Sequence, residues 1–167
     1  MSPLHPHQRQ ELAELAGIAM RERGLQPEFG RATLDQLSAI DTPSDEQGPG
    51  IADMTALRWC SIDNDDSRDL DQLTASQVLP SGDVRILVSV ADVDALVKAH
   101  TPIDQHAEVN TTSVYTSARI FPMLPEQLST DFTSLNPHRV RVALVVEMDF
   151  APDGALRRSH ITRARVR

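Results

Sequence analysis

The chain has 167 residues and a formal net charge of −8, with 16 Lys and Arg against 24 Asp and Glu. That length suits one domain, or one small domain with an appendage, and 40% hydrophobic residues suffice for a core. No apolar run approaches the roughly 18 residues of a membrane span, and the acidic balance is the opposite of what nucleic-acid binders usually carry. The first residues, Met-Ser-Pro-Leu-His-Pro-His, lack the basic and apolar regions of a signal peptide, so a cytoplasmic location is expected. Residues 8–23 read as an amphipathic helix, with Leu12, Leu15, Ala16, Ala19 and Met20 at three- and four-residue steps and Gly24 placed to end it. A shorter helix is expected after Gly30, with Leu34, Leu37 and Ile40 on one face. Two such helices could form a helix-turn-helix reader, but no basic recognition face is visible, and a packing role is the better reading. Residues 41–50 carry Pro43, Gly48, Pro49 and Gly50 without periodicity and read as a linker.

Beyond the linker the hydrophobic period changes to two. Val84, Ile86, Val88 and Val90 alternate with Arg85, Leu87 and Ser89, as on a strand with one strongly apolar face. Residues 73–79 are the expected partner strand, joined through the turn Pro80-Ser81-Gly82-Asp83. Val140, Val142, Leu144, Val146 and Met148 mark another strand, and Pro152-Asp153-Gly154 turns the chain into an extended segment through Val166. Residues 102–110 and 126–135 read as short helices or helical turns. The expected fold class is α+β: an antiparallel-rich mixed sheet with short helices, preceded by a small N-terminal helical appendage. Residues 1–50 form the helical segment and linker, and 51–167 the sheet-bearing domain. Cys60 is the single cysteine; between Trp59 and Ser61 it is expected to be a buried small apolar group rather than a nucleophile. The six histidines show no paired spacing with Cys or Glu that would suit zinc.

Acid is concentrated in one place. Asp63, Asp65, Asp66, Asp69 and Asp71 fall within nine residues, with Arg68 among them. Carboxylates this close repel one another unless solvated or neutralised. Hard oxygen donors favour Mg²⁺, Mn²⁺ or Ca²⁺ over zinc. An EF-hand count from Asp63 fails, because Arg68 stands where glycine is needed and Thr74 where glutamate is needed. A phosphatase-type aspartate nucleophile ends an apolar strand, whereas Asp69 follows Asn-Asp-Asp-Ser-Arg. Two readings remain open: a solvated acidic loop, or carboxylates that hold one or two divalent cations against a phosphodiester.

Further blocks accompany the loop. Ile62-Asp63, then Ser67-Arg68-Asp69-Leu70-Asp71, is followed by Val88-Ser89-Val90-Ala91-Asp92-Val93. Thr112-Ser113-Val114-Tyr115 comes next, and then Pro122-Met123-Leu124-Pro125-Glu126-Gln127-Leu128-Ser129. In order and spacing these four blocks resemble the ribonuclease II (RNB) family of exoribonucleases. The resemblance implies the N-terminal part of that family's catalytic domain and hydrolytic, Mg²⁺-dependent 3′-to-5′ degradation of single-stranded RNA to 5′-nucleotides, with Mn²⁺ as a possible substitute. Carried over by position, Asp63, Asp69 and Asp71 are implied as catalytic and metal-holding carboxylates, and Asp71 is most directly tied to catalysis. Tyr115 is implied as the aromatic that packs against the 3′-terminal nucleotide. Pro122-Met123-Leu124-Pro125 is expected to be structural.

The match departs from the family pattern at Gln72, a neutral amide at the fourth acidic position. Metal affinity there is expected to fall unless Asp65 or Asp66 substitutes. The resemblance also implies a catalytic domain that continues past residue 167, with further RNA contacts, and accessory RNA-binding barrels that the N-terminal helices replace. The chain is therefore expected to be truncated, its partner being the missing C-terminal half of the domain or a complementing chain. Two rival readings stand beside an active exoribonuclease. One is a catalytically inactive RNA- or metal-binding fragment; the other is a structural fragment whose loop is merely acidic.

Overall fold

The computed structural model describes residues 6–167. The chain forms two compact units, one comprising the residues up to Asp41 together with Val97–Glu126, the other Thr42–Leu96 with Gln127–Arg167.

The first unit contains α1 (Pro6–Glu22), α2 (Arg31–Ser38), α3 (Pro102–Asn110) and a hairpin of β4 (Val114–Tyr115) and β5 (Ile120–Phe121). α1 stops at Gly24, whose φ of 79° few other residues tolerate. There the Leu25 N–H reaches the Met20 carbonyl and the Gly24 N–H reaches that of Arg21, which satisfies the last carbonyls of the helix. The buried edge of α1 is Gly17 and Met20, whereas Leu12 and Leu15 are exposed. The expected stripe is thus only partly the packed one. In α2 the buried residue is Thr33, and Leu34 is exposed. α2 meets α3 through polar links, Thr33 Oγ1 donating to the Pro102 carbonyl (3.2 Å) and Ile103 N–H donating to Gln36 Oε1 (2.9 Å). Ile103 is fully buried.

A second polar cluster lies under α3. His106 is buried, with Phe29 against its ring at 4.5 Å between centroids. Its Nδ1 faces Gln26 Oε1 at 3.1 Å and its Nε2 faces Asn110 Nδ2 at 3.0 Å. One acceptor and one donor are what a neutral imidazole requires, with Nδ1 protonated. Burial holds this imidazole below its ordinary 6.5.

The second unit is built on a five-stranded sheet in the order β1-β7-β6-β3-β2. Its strands are β1 (Ile51–Asp53), β2 (Gln72–Val78), β3 (Val84–Ala91), β6 (Arg141–Phe150) and β7 (Leu156–Val166). All pairings are antiparallel except β1 with β7. This is the α+β, mostly antiparallel arrangement that the period-two segments predict. The β2–β3 turn closes where Gly82, at φ 86°, donates to the Leu79 carbonyl. A π-helical turn, Leu128–Phe132, precedes β6.

The core occupies the sheet face opposite to the strongly apolar one seen in the sequence. Leu73, Ala75, Leu87, Ala143, Val145, Ala164 and Val166 are buried together with Leu135, and Met54, Leu57 and Trp59 pack against them. The register sets Ala75 beside Leu87, Ser89 beside Val145 and Ala143 beside Ala164. Small side chains on this face let the 54–59 segment and Leu135 approach the backbone closely, so dense packing develops here. The other face carries Val84, Ile86, Val88 and Val90 beside Phe150, Met148, Val146 and Leu144, and it is more open: Val90 is 43% and Leu144 41% exposed.

Candidate functional site

The acidic loop leaves the sheet at a local bridge. Cys60 and Thr74 exchange backbone hydrogen bonds of 2.9 and 2.7 Å. Cys60 is exposed there, its Sγ 3.3 Å from the Thr74 carbonyl, which corrects the expectation that it is a buried core residue. Pairing at the rim of the sheet, rather than side-chain packing, holds this position.

The loop turns through a Ser67 N–H to Asn64 carbonyl bond and is then clamped on its return. Leu70 N–H donates to Ser134 Oγ at 3.1 Å, and the same hydroxyl lies 3.3 Å from the Arg68 carbonyl and 3.3 Å from Asn136 Oδ1. Its single proton serves one of those two acceptors at a time. Leu135 N–H donates to the Leu70 carbonyl at 2.7 Å, and Ala91 N–H to the Asp71 carbonyl at 2.9 Å. Asn136 Nδ2 is in turn bonded to the Thr130 carbonyl. Ser134 is 1% exposed. The backbone from Arg68 to Asp71 is therefore fixed from beneath, while the side chains of Asp63, Asp65, Asp66, Asp69 and Asp71 remain exposed.

The structure brings some of the site residues inferred from sequence together and not others. Asp63 and Asp65 line one recess of about 490 Å³, together with Arg68, Thr130 and Asn136. Asp69 and Asp71 do not contribute to that lining. Gln72 is exposed and opens β2, in register with Val90. Among the described residues, no three His, Cys, Asp or Glu side chains gather into a group that could hold a metal ion. The loop in this geometry is not a ready-made ligand set for Mg²⁺.

Tyr115 belongs to the first unit, 66% exposed and paired with Ile120 across the β4–β5 ladder. Its hairpin is locked by Thr116. That hydroxyl donates to the Arg119 carbonyl at 2.6 Å and accepts from the Arg119 N–H at 3.0 Å. Ser113 Oγ accepts from Met123 N–H at 3.0 Å, which ties the Pro-Met-Leu-Pro stretch to the hairpin. The role expected for that stretch, structural support, agrees with this bond.

Sequence reasoning misses the clamp. Ser134 and Asn136 do not stand out in the sequence, because a hydroxyl and an amide in a turn carry no periodic signal. Asp92, in the Ala-Asp-Val block, plays a structural part, its buried carboxylate accepting from Arg163. On the sheet, Arg85 holds Asp149 through two bonds of 2.7 and 3.0 Å and Glu147 at 3.2 Å. The Arg85 hydrogen bond is the main reason the Asp149 carboxyl sits below its usual range.

The α+β fold agrees with the comparison to known families. The RNB domain model matches residues 51–167, and the chain belongs to that family. Ribonuclease R of Escherichia coli (strain K12) is 34% identical over 140 residues, which are 83% of this chain and 17% of that protein. Exoribonuclease 2 of Escherichia coli O1:K1 / APEC is 33% identical over 111 residues, 66% of this chain and 17% of that one. The solved structure of Mycoplasma genitalium RNase R in complex with ribose methylated single-stranded RNA matches with a TM-score of 0.84 at 26% identity. That match covers 95% of this chain and 24% of the other. The chain spans about a sixth of the length of the curated relatives it matches. Among the described residues, no helix is long and apolar enough to cross a membrane.

Proposed function

We propose that this chain is part of a Mg²⁺-dependent hydrolytic exoribonuclease that shortens single-stranded RNA from its 3′ end and releases 5′-nucleotides. The observation that carries the reading is the aspartate loop, which lies inside the RNB match and has its Arg68–Asp71 backbone held by Ser134, Leu135 and Ala91. Similarity to Ribonuclease R and to a solved RNase R bound to single-stranded RNA supports RNA as substrate. In this reading Asp63, Asp69 and Asp71 are the catalytic carboxylates, Asp71 closest to the chemistry, and Tyr115 offers its ring to a terminal base. Stacking of that kind tolerates any sequence, because every base has a π-face.

Mg²⁺, or Mn²⁺ in its place, is proposed on the hardness of the oxygen donors. The positions of the three aspartates do not carry that part of the reading, since they form no ligand set here. A cation would have to draw Asp63, Asp69 and Asp71 together, with the Gln72 amide oxygen as a neutral fourth donor. The reading also takes the remaining half of the catalytic domain, or a complementing chain, as partner, and a cytoplasmic location.

A second reading, a catalytically inactive fragment that binds RNA or metal, is favoured by two observations. Gln72 brings no charge, and the carboxylates do not converge. Incubation with 5′-labelled single-stranded RNA and Mg²⁺ separates the two. Stepwise shortening from the 3′ end that is lost in Asp71→Asn supports the enzyme. RNA binding without cleavage, by wild type and variant alike, supports the inactive fragment.

A further inference from the structure

The recess beside the aspartate loop contains one feature that its acidity obscures. Resting on the reading of RNA as substrate, we propose that Arg68 is a phosphate-contacting residue that anchors the RNA backbone at the wall of this recess. Arg68 is the one basic side chain among those lining the recess. Five aspartates lie within five residues of it in sequence, yet among the described residues no carboxylate oxygen stands within 4.0 Å of its guanidinium. Some arginines of the chain do hold such partners. Arg85 is engaged by Asp149 and Glu147, Arg163 by Asp92 and Glu46, and Arg21 by Glu28. A local counter-ion would sit against one of its neighbours; Arg68 instead stays exposed to solvent.

Its placement is nonetheless built. The Arg68 carbonyl lies 3.3 Å from the buried Ser134 hydroxyl, and that hydroxyl oxygen also accepts the Leu70 N–H two residues on. The backbone at Arg68 is thus held while the guanidinium remains open to a ligand. An RNA strand that approaches the carboxylates of Asp63 and Asp65 is repelled unless a cation stands beside them. A guanidinium suits that position, because its planar fork meets two phosphate oxygens at once and a single ammonium does not. Contacts of this kind set the position of the strand without reading its sequence.

The test is fluorescence anisotropy of a 5′-labelled single-stranded oligoadenylate RNA with the full chain in EDTA, across a range of salt concentrations. Wild type is compared with Arg68→Ala and Arg68→Lys. Loss of one phosphate contact is expected to weaken binding about tenfold and to reduce the slope of log K against log salt by about 0.7 in Arg68→Ala. Arg68→Lys is expected to keep the slope and to recover only part of the affinity. A residue that merely neutralised the loop would change thermal stability and leave the salt slope alone. Wild-type binding with an unchanged slope and affinity in Arg68→Ala overturns the proposal and leaves the RNA reading intact. Absence of RNA binding by the wild type overturns both.

Discussion

Arg163 on β7 reaches across β6 to Asp92 at the end of β3, with Nε and one terminal nitrogen each 2.7 Å from Oδ2. The Asp92 side chain is 5% exposed, and the remaining Arg163 nitrogen meets Glu46 at 2.9 Å. A buried carboxylate tolerates its loss of water only while such a partner remains. Arg163→Ala is expected to cost about 3 kcal/mol, the lower end of what breaking a buried pair costs, because Arg163 itself is one-third exposed. Urea unfolding of the two proteins measures it, and a loss below about 1 kcal/mol would show that the pair is no better than a surface bridge.

The Ser134 hydroxyl is the joint between the aspartate loop and the π-helical turn. Ser134→Ala leaves the Leu70 N–H without its acceptor in a site with little access to water. The expected cost is about 1–2 kcal/mol, with faster amide exchange at Leu70 than at Leu87 in the core. Unchanged exchange at Leu70 would mean that the Leu135 bond holds the loop by itself.

His106 carries a pH dependence whose direction is settled by its burial. Its folded value lies below the ordinary 6.5, so the unfolded chain takes up the proton first. The contribution to stability is complete above about 6.5 and is lost as pH falls from there through the folded value. Unfolding midpoints at pH 7.5, 6.5 and 5.5 should therefore drop more steeply in wild type than in His106→Gln. Parallel lines for the two proteins would rule the imidazole out as the source.

Gln72 is the neutral position of the acidic set. Added ligand charge raises affinity for hard divalent cations, so Gln72→Asp is expected to bind Mn²⁺ on the order of tenfold more tightly than wild type. Isothermal titration with Mn²⁺ alone decides it. Equal affinity would show that position 72 is not a donor, and would leave its exposed place on β2 purely structural.

Strand positions were legible because alternation survives any packing partner. The β2–β3 and β6–β7 hairpins follow from Gly82 and Gly154 between alternating runs. Which face of the sheet closes was not legible. The alternation of Val84 to Val90 marks an apolar face, but density developed behind Ala75, Ala143 and Ala164, whose small size admits Leu135 and the 54–59 segment. Leu12 and Leu15 on α1 misled for a similar reason: the edge that packs is the one bearing Gly17 and Met20. At the candidate site, family blocks identified the loop residues by resemblance, whereas their geometry depends on pairs far apart in sequence. Leu70 and Ser134 are separated by 64 positions, and no local pattern announces such a bond.

That separation has a consequence for the order of events during folding. The loop's return path exists only once Ser134 and Leu135 have arrived, and the whole of Val97–Glu126 lies between them and Leu70 in sequence. Contacts of such long span are entropically late. The repulsion among five aspartates is therefore expected to be met after the encounter of β2 with β3, whose paired residues lie far closer in sequence. Ser134→Ala should then accelerate unfolding while leaving the refolding rate nearly unchanged, a φ-value near zero.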